Sequence, residues 1–167
     1  MSPPPRFVPE EMVRALSQNQ VEYVMIGGIA ATAWMSPYAT QDVDICPSSE
    51  ESNLKKLSVT LNAMAAKRVT DLDPEGIEVD ITPEYLRSSN EIAFMTRWGP
   101  LDLVFIPQGT QGYDDLLKEA VSDDLFEHPV LFASRSDVIR MKDARGLPKD
   151  RIVVDLLRQV EERDQEP

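Results

Sequence analysis

The stretch that most constrains this chain runs from Val24 to Ile45. The apolar run Val24-Met25-Ile26 ends in Gly27-Gly28, a short Ala-rich segment follows, and a second strand-like run, Asp42-Val43-Asp44-Ile45, carries two acids one residue apart. Side chains alternate across a strand, so Asp42 and Asp44 share a face with Cα atoms about 6.5–7 Å apart while Val43 and Ile45 turn to a core. Two carboxylates on a rigid strand, beside a glycine turn that opens a helix, suit a Mg²⁺–triphosphate site. Mg²⁺ takes one or two carboxylates plus phosphate oxygens, and free N–H groups at a helix start attract anions.

The rest of the chain bounds the partners. At 167 residues it is long enough to bury a core, and residues 9–163 are expected to form one domain after a flexible Pro-rich extension over 1–8. The formal net charge is −12, with 29 acidic against 17 basic residues. Binding along a nucleic-acid backbone rests on neutralising phosphates, so no extended nucleic-acid surface is expected. No run approaches a membrane span, the Pro-rich start lacks the blocks of a secretory signal, and the one cysteine, Cys46, cannot form an internal disulfide. A cytoplasmic protein with no membrane partner is the expectation, and Cys46 reads as a small buried thiol rather than a nucleophile.

Periodicity places the elements. Pro9, Glu10 and Glu11 open a helix whose stripe is Met12, Val13 and Leu16, over roughly 9–18. Strands are expected at 21–26 and 42–46, with a helix at 29–35 between them. A helix runs from the Pro47-Ser48-Ser49-Glu50-Glu51 start along Leu54, Leu57, Leu61 and Met64 to about Ala66. Alternation predicts strands at 77–81, 92–96 and 101–106, with a short helix at 83–87 and a tight connection at Trp98-Gly99-Pro100. Further on come a helix at 113–121, a strand at 130–133, a helix led by a cap at Ser134 to Asp137, a break at Gly146-Leu147-Pro148, and a last helix over 149–163.

Gly27-Gly28, thirteen residues, and then Asp42-Val43-Asp44, with Thr40 two residues ahead, resembles the signature of the DNA polymerase β-like nucleotidyltransferase superfamily. Phe94 to Asp102, Tyr113-Asp114-Asp115-Leu116, Ser134 to Lys142 and Lys149-Asp150 are similar in order and spacing to small bacterial nucleotidyltransferases of the type IV toxin–antitoxin, AbiEii-like, kind, over about residues 10–163. The resemblance implies an α/β (α+β) nucleotidyltransferase fold, a mixed sheet flanked by helices with a C-terminal helical segment. It also implies Mg²⁺, as two ions, and a nucleoside triphosphate as co-substrate. Lys142 and Lys149 would then lie near the nucleotide together with Gly27, Gly28 and Thr40, and a cognate antitoxin is a possible partner.

Two-metal transfer calls for a third carboxylate on a neighbouring strand. Asp102 is the choice, because it is one polar residue interrupting the apolar run of Leu101, Leu103, Val104 and Phe105, and a buried carboxylate there needs a cation. Asp80, in the alternating Ile77-Glu78-Val79-Asp80-Ile81, is the rival. Asp71 and Asp73 sit in a sequence with turn composition, and the single His128 has no second ligand with which to make a zinc site. Trp34 and Trp98 read as core or rim residues. The expected reaction has Asp42, Asp44 and Asp102 as catalytic and metal-holding residues, moving a nucleoside monophosphate onto a hydroxyl. The resemblance puts an RNA or protein acceptor of a toxin-like enzyme first. An aminoglycoside or lincosamide hydroxyl is the alternative, and a catalytically silent partner-binding module stands against both.

Overall fold

A computed structural model describes residues 3–167. The helix α1 (Pro9–Gln18) buries Met12, Val13 and Leu16, the stripe its periodicity dictates, and Glu10 and Glu11 lie at the favourable end of its dipole. Of the expected loose extension, residues 1 and 2 lie outside the described residues. Farther along it, Phe7 packs on the core and the Val8 N–H donates to the Trp98 carbonyl at 2.9 Å.

Strand β1 (Tyr23–Ile26) is buried at every position and runs directly into α2 (Gly27–Ala33). Strand β2 (Val43–Pro47) pairs antiparallel with β1, bringing Ile26 opposite Asp44. Helix α3 (Glu51–Ala63) is tied back to the start of β1 by the fully buried Asn53. Its Oδ1 accepts from the Glu22 N–H at 2.7 Å, and its Nδ2 donates to the carbonyls of Glu22 and Ser48, both at 2.9 Å. These bonds satisfy backbone groups that the end of a strand otherwise leaves without partners.

A two-residue strand β3 (Lys67–Arg68) follows, then α4 (Pro83–Leu86), capped by the Thr82 hydroxyl, and the hairpin of β4 (Glu91–Thr96) and β5 (Gly99–Val104). The turn between β4 and β5 is the tight one expected, with Gly99 at φ 112. Helix α5 (Tyr113–Leu117), the hairpin of β6 (Val121–Leu125) and β7 (His128–Phe132), then α6 (Arg135–Arg145) and α7 (Pro148–Asp164) complete the chain. The strands form one mixed sheet in the order β3-β4-β5-β2-β1-β7-β6, with β2 parallel to β5 and β1 parallel to β7. Helix α2 packs on β1 and β2 and also meets α6, which in turn packs on α7. This is the α/β architecture expected, a mixed sheet flanked by helices with a C-terminal helical pair.

Two local expectations fail, each for a physical reason, and two strands form where no pattern announces them. The alternating run 77–81 is not a strand: Ile77 alone exchanges two backbone hydrogen bonds with Arg68, both at 2.8 Å, and Ile81 is buried from an irregular segment. Alternation there reports two side chains reaching the core, not a ladder. The helix expected over 113–121 stops at Leu117, because Val121 begins the edge strand β6. The Ser122-Asp123-Asp124 run in β6 carries no strand propensity of its own and is held by its pairing with β7. Lys67 and Arg68 have no apolar pattern either, and become a strand only because β4 lies beside them. His128 opens β7.

Candidate metal and nucleotide site

The sheet register assembles the centre of the site. Parallel pairing of β2 with β5 sets Asp44 level with Asp102, and antiparallel pairing of β1 with β2 sets Ile26 level with Asp44. Adjacent strands lie about 4.8 Å apart, so side chains level on one face are neighbours. Asp42, one residue ahead of β2, shares the face of Asp44. One carboxylate oxygen from each of Asp42, Asp44 and Asp102 lies within 4.8 Å of the others, which is close enough for one cation to touch all three. Asp80 is exposed and lies outside this cluster.

The charges crowd one another. Burial, followed by the negative charges of Asp42 and Asp102, raises the Asp44 carboxyl to about 7. Burial, then Asp42 and Glu91, raises Asp102 to about 6. Carboxylates held this close on a rigid sheet repel one another when ionised, and a cation among them would relieve that repulsion.

Gly27 explains how helix α2 reaches the cluster. Its φ is +67, a left-handed conformation that side chains disfavour, and a Cβ there would lie 2.7 Å from the Asp44 carboxyl carbon. The Gly28 position is equally tight, since a Cβ would come within 2.7 Å of Thr40 Cβ. The backbone at the start of α2 therefore passes directly against the acids. The Thr40 hydroxyl lines the cavity and bonds the nearest acid. It donates to Asp42 Oδ1 at 2.6 Å and receives the Asp42 N–H at 3.4 Å, fixing the one acid that lies outside a strand.

The opposite wall is basic and belongs to the C-terminal helices. Lys142, Arg145 and Lys149 line the same cavity of about 640 Å³ as Gly27, Gly28, Thr40 and the three aspartates. Lys142 is largely buried, its side chain 13% exposed, and burial, offset in part by Asp150, lowers its pKa. Asp150 is fully buried and is held by Arg145, by Lys142 at 3.6 Å and by the Leu147 N–H at 3.3 Å.

Two charged lining residues, Glu91 and Arg145, carry no signal of their own in the sequence. Glu91 begins β4, two residues from Ala93, which pairs with Asp102. Arg145 lies three residues after Lys142, one helical turn along the same face, and is marked only by that spacing from Lys142. Cys46 is buried, donates its thiol hydrogen to the Phe105 carbonyl, and is pushed up to about 12 by burial, so it stays a thiol. Neither Trp34 nor Trp98 lines the cavity. Trp34 donates its indole N–H to the Ala133 carbonyl at 2.8 Å under the Arg135 guanidinium, as a packed rim residue does.

No protein-family model matches the chain, and no curated protein matches it in sequence. Solved structures do match in fold. The crystal structure of the lincosamide antibiotic adenylyltransferase LnuA, lincomycin-bound, superposes with a TM-score of 0.61 at 12% identity, covering 93% of this chain and 99% of that one. The solution structure of the antibiotic-resistance factor ANT(2'')-Ia superposes with a TM-score of 0.51 at 15% identity, over 89% of this chain and 80% of that one. The fold is thus the one seen in nucleotidyltransferases. No helix among the described residues is long and apolar enough to cross a membrane.

Proposed function

We propose that this protein is a Mg²⁺-dependent nucleotidyltransferase that moves a nucleoside monophosphate from a nucleoside triphosphate to a hydroxyl on a small molecule. The observation that carries the reading is the level placement of Asp44 and Asp102 with Asp42 beside them, directly against the Gly27-Gly28 turn. A set of three carboxylates with hard oxygen donors, two of them, Asp44 and Asp102, raised in pKa by burial and by neighbouring negative charge, fits Mg²⁺ and phosphate oxygens rather than a softer metal. Asp42, Asp44 and Asp102 would hold the ions. Bound Mg²⁺ supplies charge neutralisation for the triphosphate and for the attacking oxygen.

The chain's own residues do the rest. The backbone at Gly27 and Gly28 lets the triphosphate approach the acids closely, and Lys142 and Lys149 face it from the α6–α7 side. Thr40 keeps Asp42 aimed. Asp102 accepts the proton of the acceptor hydroxyl as its oxygen attacks the α-phosphorus. The bond from the α-phosphorus to the bridging oxygen breaks, and pyrophosphate leaves. Catalysis of this kind is mostly positioning and electrostatics.

Two observations favour a small acceptor over the RNA or protein target of a toxin. Both solved neighbours named above are antibiotic-directed proteins, one of them an adenylyltransferase with lincomycin bound, and each is matched along most of its length. The net charge of −12 suits a cationic small molecule and opposes a polyanion. The complete aspartate set speaks against a silent binding module.

The test is transfer of label from α-labelled nucleotides in Mg²⁺ to lincosamides, aminoglycosides, RNA and extract protein. Label should appear on a small hydroxyl compound and be lost in Asp44→Ala. Label in RNA or protein instead would restore the toxin-like reading. Wild-type transfer by Asp44→Ala would refute the mechanism, and no heat of Mg²⁺–nucleotide binding in titration calorimetry would favour the module.

A further inference from the structure

Arg145 ends α6, and Gly146, at φ 66, turns the chain so that α7 starts beside it. The turn brings Asp150, in the first turn of α7, against the Arg145 guanidinium. Arg145 Nε donates to Asp150 Oδ2 at 2.8 Å and Nη2 donates to Oδ1 at 2.6 Å, a two-pronged pair with planar complementarity. Asp150 has no exposed surface to speak of, at 1%, while Arg145 remains 48% exposed and lines the cavity. A guanidinium has five N–H donors, so this pairing leaves three without a partner in the fork.

Arg145 lines the same cavity as Asp42, Asp44 and Asp102. The charge of Arg145 acts to lower Asp44, and Asp44 and Glu91 both act to raise Arg145. A buried carboxylate that only balanced charge would be served by Lys142 alone. Here Asp150 instead fixes the plane of a half-exposed arginine, so little side-chain entropy remains to be lost when a ligand binds.

We infer that Arg145 is a phosphate-binding residue, its free guanidinium edge donating to the triphosphate, and that Asp150 is the positioning residue that holds it there. The inference rests on the nucleotidyltransferase reading and adds a residue to it. Lys142 and Lys149 act as point charges on flexible stems, whereas Arg145 offers a planar fork matched to phosphate oxygens.

The probe is inorganic tripolyphosphate with Mg²⁺, measured by calorimetry at fixed ionic strength on the full chain. Arg145→Ala should weaken binding by about 10- to 100-fold with an unchanged circular dichroism spectrum. Arg145→Lys, which keeps the charge and loses the fork, should weaken it by roughly 3- to 10-fold, and this variant decides the matter if the alanine protein does not fold. Asp150→Asn combined with Arg145→Lys should bind no more weakly than the worse single variant, because both remove the same fork. Additive losses would overturn the positioning role of Asp150. Wild-type affinity in Arg145→Ala or Arg145→Lys would overturn the inference and leave the proposed function standing. A wild-type protein that does not bind Mg²⁺–tripolyphosphate would overturn both.

Discussion

Replacing Asp44 by Asn should make the metal-free protein more stable while abolishing its activity. Asp44 is held at about 7 in the folded chain against 3.8 for an ordinary carboxyl, so its ionisation costs about 4 kcal/mol more in the native state than in the unfolded one. The sign follows from that direction. A raised folded pKa contributes stability that is fully present below 3.8 and is lost as pH climbs through about 7. Between pH 5 and pH 8 this single group removes roughly 2–3 kcal/mol, or about 5–10 °C in the thermal midpoint of a chain this size. Asparagine has nearly the same shape, stays neutral, and can still donate to Asp102. In EDTA at pH 8, Asp44→Asn should therefore melt roughly 5–15 °C above wild type, and the gap should shrink by pH 5. Adding Mg²⁺ at pH 8 should raise the wild-type midpoint and leave the variant's unmoved, since only a state that binds the ion gains from it. Transfer activity should fall by about 100-fold or more. Scanning calorimetry across pH, with and without EDTA, makes the measurement. A variant that melts at or below wild type at pH 8 without metal would refute the electrostatic reasoning.

Other outcomes follow from single contacts. Thr40→Val keeps the shape and removes the 2.6 Å bond to Asp42, so transfer should drop by about 10- to 100-fold with the melting point little changed, and Thr40→Ser should restore it. Equal activity in the valine and serine proteins would show that Asp42 needs no such orientation. Gly27→Ala places a Cβ against the Asp44 carboxyl at φ +67 and should cost both stability and activity, whereas Gly76→Ala, at φ +88 against Lys67, should cost stability alone. Denaturation and transfer assays on the pair separate the two effects, and an active Gly27→Ala protein would argue against close backbone approach. Cys46, buried and pushed up to about 12, should resist iodoacetamide in the native protein at pH 8 and react only in denaturant, as mass spectrometry would show.

The elements that carry their own periodicity were legible in the chain. Met12, Val13 and Leu16 announce α1, the apolar run into Gly27 announces β1, and Leu54, Leu57 and Leu61 announce α3, all because side chains repeat at the spacing of the element that buries them. β6 was illegible because an edge strand facing water has no apolar face to write into its sequence, and its partner supplies what its residues do not. The run 77–81 misled because Ile81 and Val79 reach the core without a ladder.

The site divides along the same line. Asp44 lies on β2, Asp42 lies one residue ahead of it, and Gly27 directly follows β1, so local geometry alone places a pair of carboxylates near a glycine turn. Asp102 could be selected by its intrusion into an apolar run, but Asp80 stood as its rival until the parallel register of β2 with β5 set Asp102 level with Asp44. The bond from Thr40 to Asp42 and the fork between Arg145 and Asp150 are not legible in the sequence, because both depend on which side chain lies across a gap. Which carboxylates and glycines the chain has to offer, and the faces they occupy, can be read along the chain, since those follow from backbone periodicity over a few residues. Which of them meet is settled in three dimensions, because sheet register brings Asp44 level with Asp102 across fifty-eight residues and the turn at Gly146 sets α7 beside Arg145.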